Sequence, residues 1–257
     1  MLEYILVFII ASAVGSFLNV CIYRMPKNES VIMPGSHCPH CDKEISWCDN
    51  IPILSFLILG ARCRKCKKKI SIRYFIVELL TASLLLFLYV QFGFTLKFFI
   101  YAIIFSGLIV ASFIDLEHQI IPDEISVGAI VLGLIVNVAF PGLHGFSNLK
   151  QSLIFSSLGI LIGGGSLYIT GMIGDFIFKK ESMGGGDIKL LAGIGAFLGW
   201  KIALLVFFVA PLFGAIMGLI VKIRKKINVI PYGPFISLST FVAVFWGDKI
   251  INWIFKY

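Results

Sequence analysis

The stretch ESMGGGDIKLLAGIGAFLGW, residues 181–200, carries an aspartate to the mouth of an apolar run. Gly184, Gly185 and Gly186 lead directly into Asp187, and Leu, Ile, Ala, Gly, Phe and Trp dominate the residues after it. A run this apolar reads as a membrane-buried helix. A carboxylate at its edge is costly, and such groups usually face a polar cavity with a task to perform. The rest of the chain agrees with the membrane reading. Its 257 residues are 58% hydrophobic and 14% charged, against about 45–50% and about 25% in soluble domains. The mean hydropathy is +0.96.

Apolar runs of about 20 residues recur along the chain, each long enough for a hydrocarbon core of about 30 Å. They predict spans near 2–22, 74–92, 95–114, 124–141, 151–173, 188–200, 202–222 and 232–254. The sixth is short and glycine-rich, which fits a tilted or partly re-entrant segment. The first lacks a basic leading end and a small-x-small cleavage site, so it reads as a retained span rather than a cleaved signal peptide. The expected fold is an all-α polytopic membrane protein of about eight transmembrane helices, with a small zinc-binding loop domain between the first two. The expected division is a first transmembrane helix at 1–22, the loop domain at 23–73 and a transmembrane bundle at 74–257.

Charge sets the orientation. Most of the 22 Lys and Arg residues fall on one side of these spans. They include Arg62, Arg64, Lys65, Lys67, Lys68 and Lys69 in the long first loop, then Lys179, Lys180 and Lys189, then Lys222, Arg224, Lys225 and Lys226. Lys97, Lys150, Lys201, Lys249 and Lys256 fall on the other. Positive charge marks the cytoplasmic face, so the loop points into the cytoplasm and both termini point outward. The net charge of +8 is thereby a matter of topology, and no nucleic-acid partner is needed to explain it.

The loop at 23–73 contains CPHC (Cys38, Cys41) and CRKC (Cys63, Cys66). Two C-x-x-C pairs suit a tetrahedral four-thiolate Zn2+ site. A loop this small buries too little to fold alone, and a metal supplies the missing free energy. Disulfides fit poorly in a reducing compartment; a redox pair is the remaining alternative. Cys21 reads as a small buried apolar residue at a span end. His37 and His40 flank the first pair and are possible substitutes for a cysteine ligand.

The acids at membrane boundaries complete the pattern. SFIDLEHQIIPDEI contains Asp115, Glu117, Asp123 and Glu124, and GGGDIKL contains Asp187. Asp115 closes the third predicted span and Asp187 opens the sixth, at the same depth on the same face. Two carboxyls that meet share a proton, because like charges about 3 Å apart cannot both ionise. One then serves as base on a water while the other polarises a peptide carbonyl. The glycines let a backbone approach and make the turn that delivers Asp187 to a helix start. The alternatives are a helix N-cap for Asp187 and a solvated helix end for Asp115. From the acids alone, a transporter or channel with intramembrane aspartates is the rival, and a scaffold acting through the cysteine loop is another.

These segments together resemble the bacterial type IV prepilin peptidases (leader peptidase/N-methyltransferases), aspartyl proteases of the G-x-G-D type. GSFLNVCIYRMP (15–26) resembles the family's first-span signature, and residues 33–79 its cysteine-bearing loop. IDLEHQIIPD (114–123) resembles the segment of the first catalytic aspartate, MGGGDIKLLAGIGAFLGW (183–200) that of the second, and PYGPF (231–235) the opening of the last span. The resemblance implies Asp115 and Asp187 as catalytic residues, Gly184 and Gly186 as the motif glycines and the four cysteines as metal ligands. Asp123 and Lys189 are ranked as supporting, Asp123 as a cap for the fourth span and Lys189 as a contact for an acidic group of the substrate or a snorkelling lysine.

The same resemblance implies removal of a short basic leader from type IV prepilins and pseudopilins at the cytoplasmic membrane face. It further implies methylation of the new N-terminus by S-adenosylmethionine, or a peptidase-only variant. No glycine-rich dinucleotide fingerprint follows a strand here, so the cofactor-binding residues are not identified. LIGGGSLYITG (161–171) reads instead as a helix-packing stretch. The implied setting is the bacterial inner membrane, with lipid and prepilins as partners.

Overall fold

The computed structural model describes residues 1–180, 182–224 and 230–255. Lys225, Lys226 and Lys256, three of the lysines whose charge orients the chain, lie outside them. The elements are α1 (Leu2–Arg24), α2 (Leu54–Ile58), α3 (Ile72–Phe92), α4 (Leu96–His118), α5 (Asp123–Ala139), α6 (Leu149–Phe178), α7 (Gly185–Arg224) and α8 (Gly233–Phe255), joined by short 3₁₀ turns and loops. Among the described residues no strand forms; only two isolated bridges occur.

Among the described residues six helices, α1, α3, α4, α6, α7 and α8, are by length and composition apolar enough to cross a membrane. This is a multi-pass membrane protein. The eight predicted spans map onto the helices: α5, with 17 residues, is at the lower limit for a crossing, and the sixth and seventh predicted spans are two arms of α7, which parts at Gly199 (φ 80, ψ 174). Only glycine adopts that backbone without strain, and a Cβ at Gly199 would also collide with the Phe155 ring.

The chain divides into two compact units, Met1–Val110 and Ala111–Tyr257, with the boundary inside α4. In the first unit α1 packs on α3. Gly15 sits so close to α3 that a Cβ there would lie 2.8 Å from the Glu78 Cα. Asn19 Nδ2 donates to the Tyr74 carbonyl at 3.0 Å. The buried Arg24 guanidinium ends α1 by donating to the carbonyls of Ser30, Pro34 and Gly35 at 3.0, 2.7 and 3.2 Å. That clamp folds the start of the cysteine loop back onto the helix. Cys21 is buried as expected.

In the second unit the first arm of α7 lies between α5 and α6. Close approach depends on glycine: Gly133 of α5 faces Ala196, Gly159 of α6 faces Gly195, and Gly163 and Gly164 face Leu191 and Ala192. The 161–171 stretch is thus a packing surface, as its composition predicts. The break at Gly199 leaves the carbonyls before it without intrahelical partners. Side chains from α5, α6 and the turn between them supply partners. Asn137 Nδ2 donates to Ala196 O at 2.9 Å, Ser156 Oγ donates to the same oxygen at 2.7 Å, and His144 Nε2 lies 3.0 Å from Phe197 O.

Candidate active site

Asp115 stands three residues before the end of α4 and is buried. Its Oδ2 accepts a hydrogen bond from the backbone N–H of Gly233, the first residue of α8, at 2.8 Å. The contact is tight: a Cβ on Gly233 would lie 2.9 Å from that oxygen. One turn further into both helices, Ser112 Oγ donates to Ser237 Oγ at 2.8 Å, and Ser237 Oγ donates to Gly233 O at 2.9 Å. The carboxylate therefore stands at the N-terminal end of α8, where orphan N–H groups favour negative charge.

Asp187 is the third residue of α7. Its amide and that of Ile188 both point to the Gly184 carbonyl, at 3.1 and 3.4 Å, so the glycine turn flows straight into the helix. Gly184 lies against the carboxylate, and a Cβ there would be 2.9 Å from Asp187 Oδ2. The loop leading in is fastened to α6: Ser182 donates from both its amide and its hydroxyl to Asp175 Oδ1, at 2.7 and 2.8 Å. Among the described residues Asp187 Oδ1 is buried without a hydrogen-bond partner.

The two aspartate segments meet. A Cβ on Gly186 would lie 2.9 Å from the Ile121 Cβ, in the turn that comes after Asp115. Asp187 is close enough to feel the Asp115 charge, and Tyr232, beside Gly233, feels the charge of Asp187. Glu117, two residues beyond Asp115, is exposed, whereas Asp115 is buried. Two carboxyls brought together in this way can share a proton, as amide hydrolysis by an aspartate pair requires.

Asp123 differs from its expected capping role. It is the first helical residue of α5, the cap position belongs to Pro122, and no side-chain cap forms. Its carboxylate turns instead to Lys189, whose Nζ donates to Asp123 Oδ1 at 2.6 Å. This pair ties the start of α5 to the start of α7. Gly233, Ser112 and Ser237 were not singled out from sequence. The glycine between Tyr232 and Pro234, and a serine one turn from each partner of the contact, were the available signals.

The cysteine pairs form a second centre, in the first unit. The four Sγ atoms of Cys38, Cys41, Cys63 and Cys66 lie within 4.8 Å of one another, with Cys38 and Cys66 3.9 Å apart. A tetrahedron with metal–sulfur bonds of about 2.3 Å has edges of about 3.8 Å, so the donor set fits a metal. The two turns are built alike. Cys38 N–H donates to Lys43 O and Cys63 N–H to Lys68 O, at 3.0 and 2.9 Å. The residue after each second cysteine, Asp42 or Lys67, is left-handed (φ 50 and 60). Bridges His37–Glu44 and Arg62–Lys69 close the two turns. Backbone N–H groups of Cys66 and Lys65 hold the Cys63 thiol down at about 7, while burial pushes Cys38 up to about 11. His37 and His40 stay out of the cluster; His37 Nδ1 lies against the Gly35 carbonyl.

Comparison with known proteins gives a consistent result. Residues 9–92 match the bacterial peptidase A24 N-terminal domain, and residues 102–219 match the type IV leader peptidase family. The chain is 36% identical over 285 residues to a prepilin leader peptidase/N-methyltransferase of Legionella pneumophila, spanning 99% of this chain and 95% of that protein. It is 36% identical over 263 residues to the protein of that name in Pseudomonas aeruginosa, spanning 92% and 88%. It is 38% identical over 217 residues to the one in Myxococcus xanthus, spanning 84% and 62%. No solved structure matches the chain.

Proposed function

We propose a function for this chain from one premise: it belongs to the type IV leader peptidase family. It is an aspartic endopeptidase of the membrane that removes the leader from type IV prepilins and pseudopilins. The observation that carries this reading is the meeting of the Asp115 and Asp187 segments through Gly186 and Ile121.

In this reading Asp115 and Asp187 are the catalytic pair. Asp115, held by the Gly233 amide, is fitted to draw a proton from water. Asp187, whose Oδ1 has no hydrogen-bond partner among the described residues, is fitted to turn a proton toward the scissile carbonyl. Water attacks the carbonyl carbon, the shared proton moves to the carbonyl oxygen, and collapse returns a proton to the leaving amine. Gly184 and Gly186 keep the mouth open to a peptide backbone. Lys189, paired with Asp123, is a contact for an acidic group near the start of the mature pilin.

Residues 23–73 act as the metal-binding loop domain, residues 1–22 as its leading helix and residues 74–257 as the catalytic bundle. Cys38, Cys41, Cys63 and Cys66 hold Zn2+, which supplies folding free energy to the loop. The chain lies in the bacterial inner membrane with the loop cytoplasmic and both termini outward. It also methylates the amine that cleavage exposes, with S-adenosylmethionine as donor.

The test is a cleavage assay on purified protein in lipid, with a prepilin substrate, with and without S-adenosylmethionine. The mass of the new N-terminus reads both reactions. Leader loss, with one added methyl on the new N-terminus when S-adenosylmethionine is present, is the expected product. An intact prepilin overturns the reading.

A further inference from the structure

The cysteine loop carries an apolar feature that neither the aspartates nor the metal site uses. Residues IPILSFLILG, 51–60, contain the short helix α2. One side of this helix faces inward: Ser55 is buried and donates to Cys48 O at 3.1 Å, and Phe56 packs on Phe75 of α3 with ring centroids 5.3 Å apart. The other side is open. Leu54, Leu57 and Ile58 are 55%, 60% and 77% exposed.

One hydrogen bond ties this segment to the body of α3. The Ile53 amide donates to Glu78 Oε2 at 2.7 Å, and Ser16 also bonds that carboxylate. Glu78 lies six residues into α3, a rise of about 9 Å past its first residue. Helix α3 has 21 residues, about 32 Å, which matches the hydrocarbon core of about 30 Å. The start of α2 is thus tied to a side chain from within this membrane-length helix rather than from its end.

We propose that residues 51–60 insert into the lipid interface on the loop's side of the membrane, with Leu54, Leu57 and Ile58 in contact with acyl chains. Two further observations fit lipid as the occupant. Backbone in lipid must be satisfied internally. Here the amides of Ile53, Leu54, Ser55, Leu57, Leu59, Gly60 and Ala61 all have protein acceptors. The flanking segment is cationic and largely exposed, with Arg62, Lys65, Lys67, Lys68 and Lys69, which suits anionic headgroups. Ile53 is held at φ 65, a strained state for a β-branched residue; the Glu78 bond and the Phe56–Phe75 contact hold it there. Cys63 comes five residues after Ile58, so the insertion also tethers the four-cysteine centre to the bilayer surface.

The test uses the full chain in nanodiscs of phosphatidylethanolamine and phosphatidylglycerol, with the photoreactive residue benzoylphenylalanine in place of Leu57, Ile58 or, as a reference, Lys68. Irradiation followed by mass spectrometry should give phospholipid adducts at the first two positions about tenfold above the third. Equal yields at all three, or adducts to a second copy of the chain or to added prepilin, would overturn the proposal. With the probe at Leu57, Glu78→Ala should lower the lipid adduct, and Glu78→Gln, which keeps an acceptor for Ile53, should preserve it. The probe on the otherwise unaltered chain decides the question even if the alanine variant does not fold.

Discussion

Gly233 donates its backbone N–H to Asp115 across 2.8 Å, and the space between them has no room for a Cβ. Replacing Gly233 with Ala forces the carboxylate or the start of α8 to move. Misplacement by about 1 Å at a reacting group costs roughly 100-fold in rate. We expect Gly233→Ala to cut prepilin cleavage by about that factor with the helical content unchanged, read by a cleavage time course and circular dichroism.

Gly186 and Ile121 make a second contact of this kind, and here the neighbour can be trimmed. Gly186→Ala should slow cleavage, because the added methyl meets the Ile121 Cβ at 2.9 Å. The double variant Gly186→Ala with Ile121→Gly, which removes that Cβ, should recover much of the loss. Simple additivity of the two effects would show that the contact does not position the dyad.

Lys189 and Asp123 form an exposed pair at 2.6 Å, and exposed pairs contribute little stability. Lys189→Gln should therefore leave the melting temperature nearly unchanged. It should slow processing of wild-type prepilin more than of a prepilin lacking its early acidic residue. Equal slowing of both substrates would remove the lysine from substrate recognition and leave it as a tie between α5 and α7.

The four-cysteine centre predicts one bound metal per chain by elemental analysis. Chelation, or Cys63→Ser, should expose residues 23–73 to limited proteolysis while the rest of the chain stays protected. Peptide hydrolysis should survive better than methyl transfer. Full protease resistance after complete metal removal would show that the loop does not depend on metal.

The parts of this molecule legible from sequence were those written in local chemistry. Apolar runs announced the helices, and the C-x-x-C spacing announced a cluster whose sulfurs do converge. The places of Asp115 near the end of α4 and Asp187 at the start of α7 were marked by where charge interrupts apolarity. Interactions between distant segments outside these motifs were not legible. Nothing local says that Gly233 meets Asp115, since that bond joins residues 118 apart in sequence. The break at Gly199 falls where the sixth and seventh predicted spans part, but its positive φ carries no local mark in a glycine-rich run. The Asn137, Ser156 and His144 side chains that satisfy the carbonyls there lie on other elements. Asp123 was assigned a cap because acids favour helix starts, but a long lysine from α7 took the carboxylate instead.

The most direct measurement is leader removal by the Asp115→Asn and Asp187→Asn variants, each purified folded in lipid and assayed on one prepilin beside the unaltered protein. Each single substitution should reduce cleavage to background, because an amide cannot replace either partner in sharing the proton. Full processing by either variant would contradict the dyad.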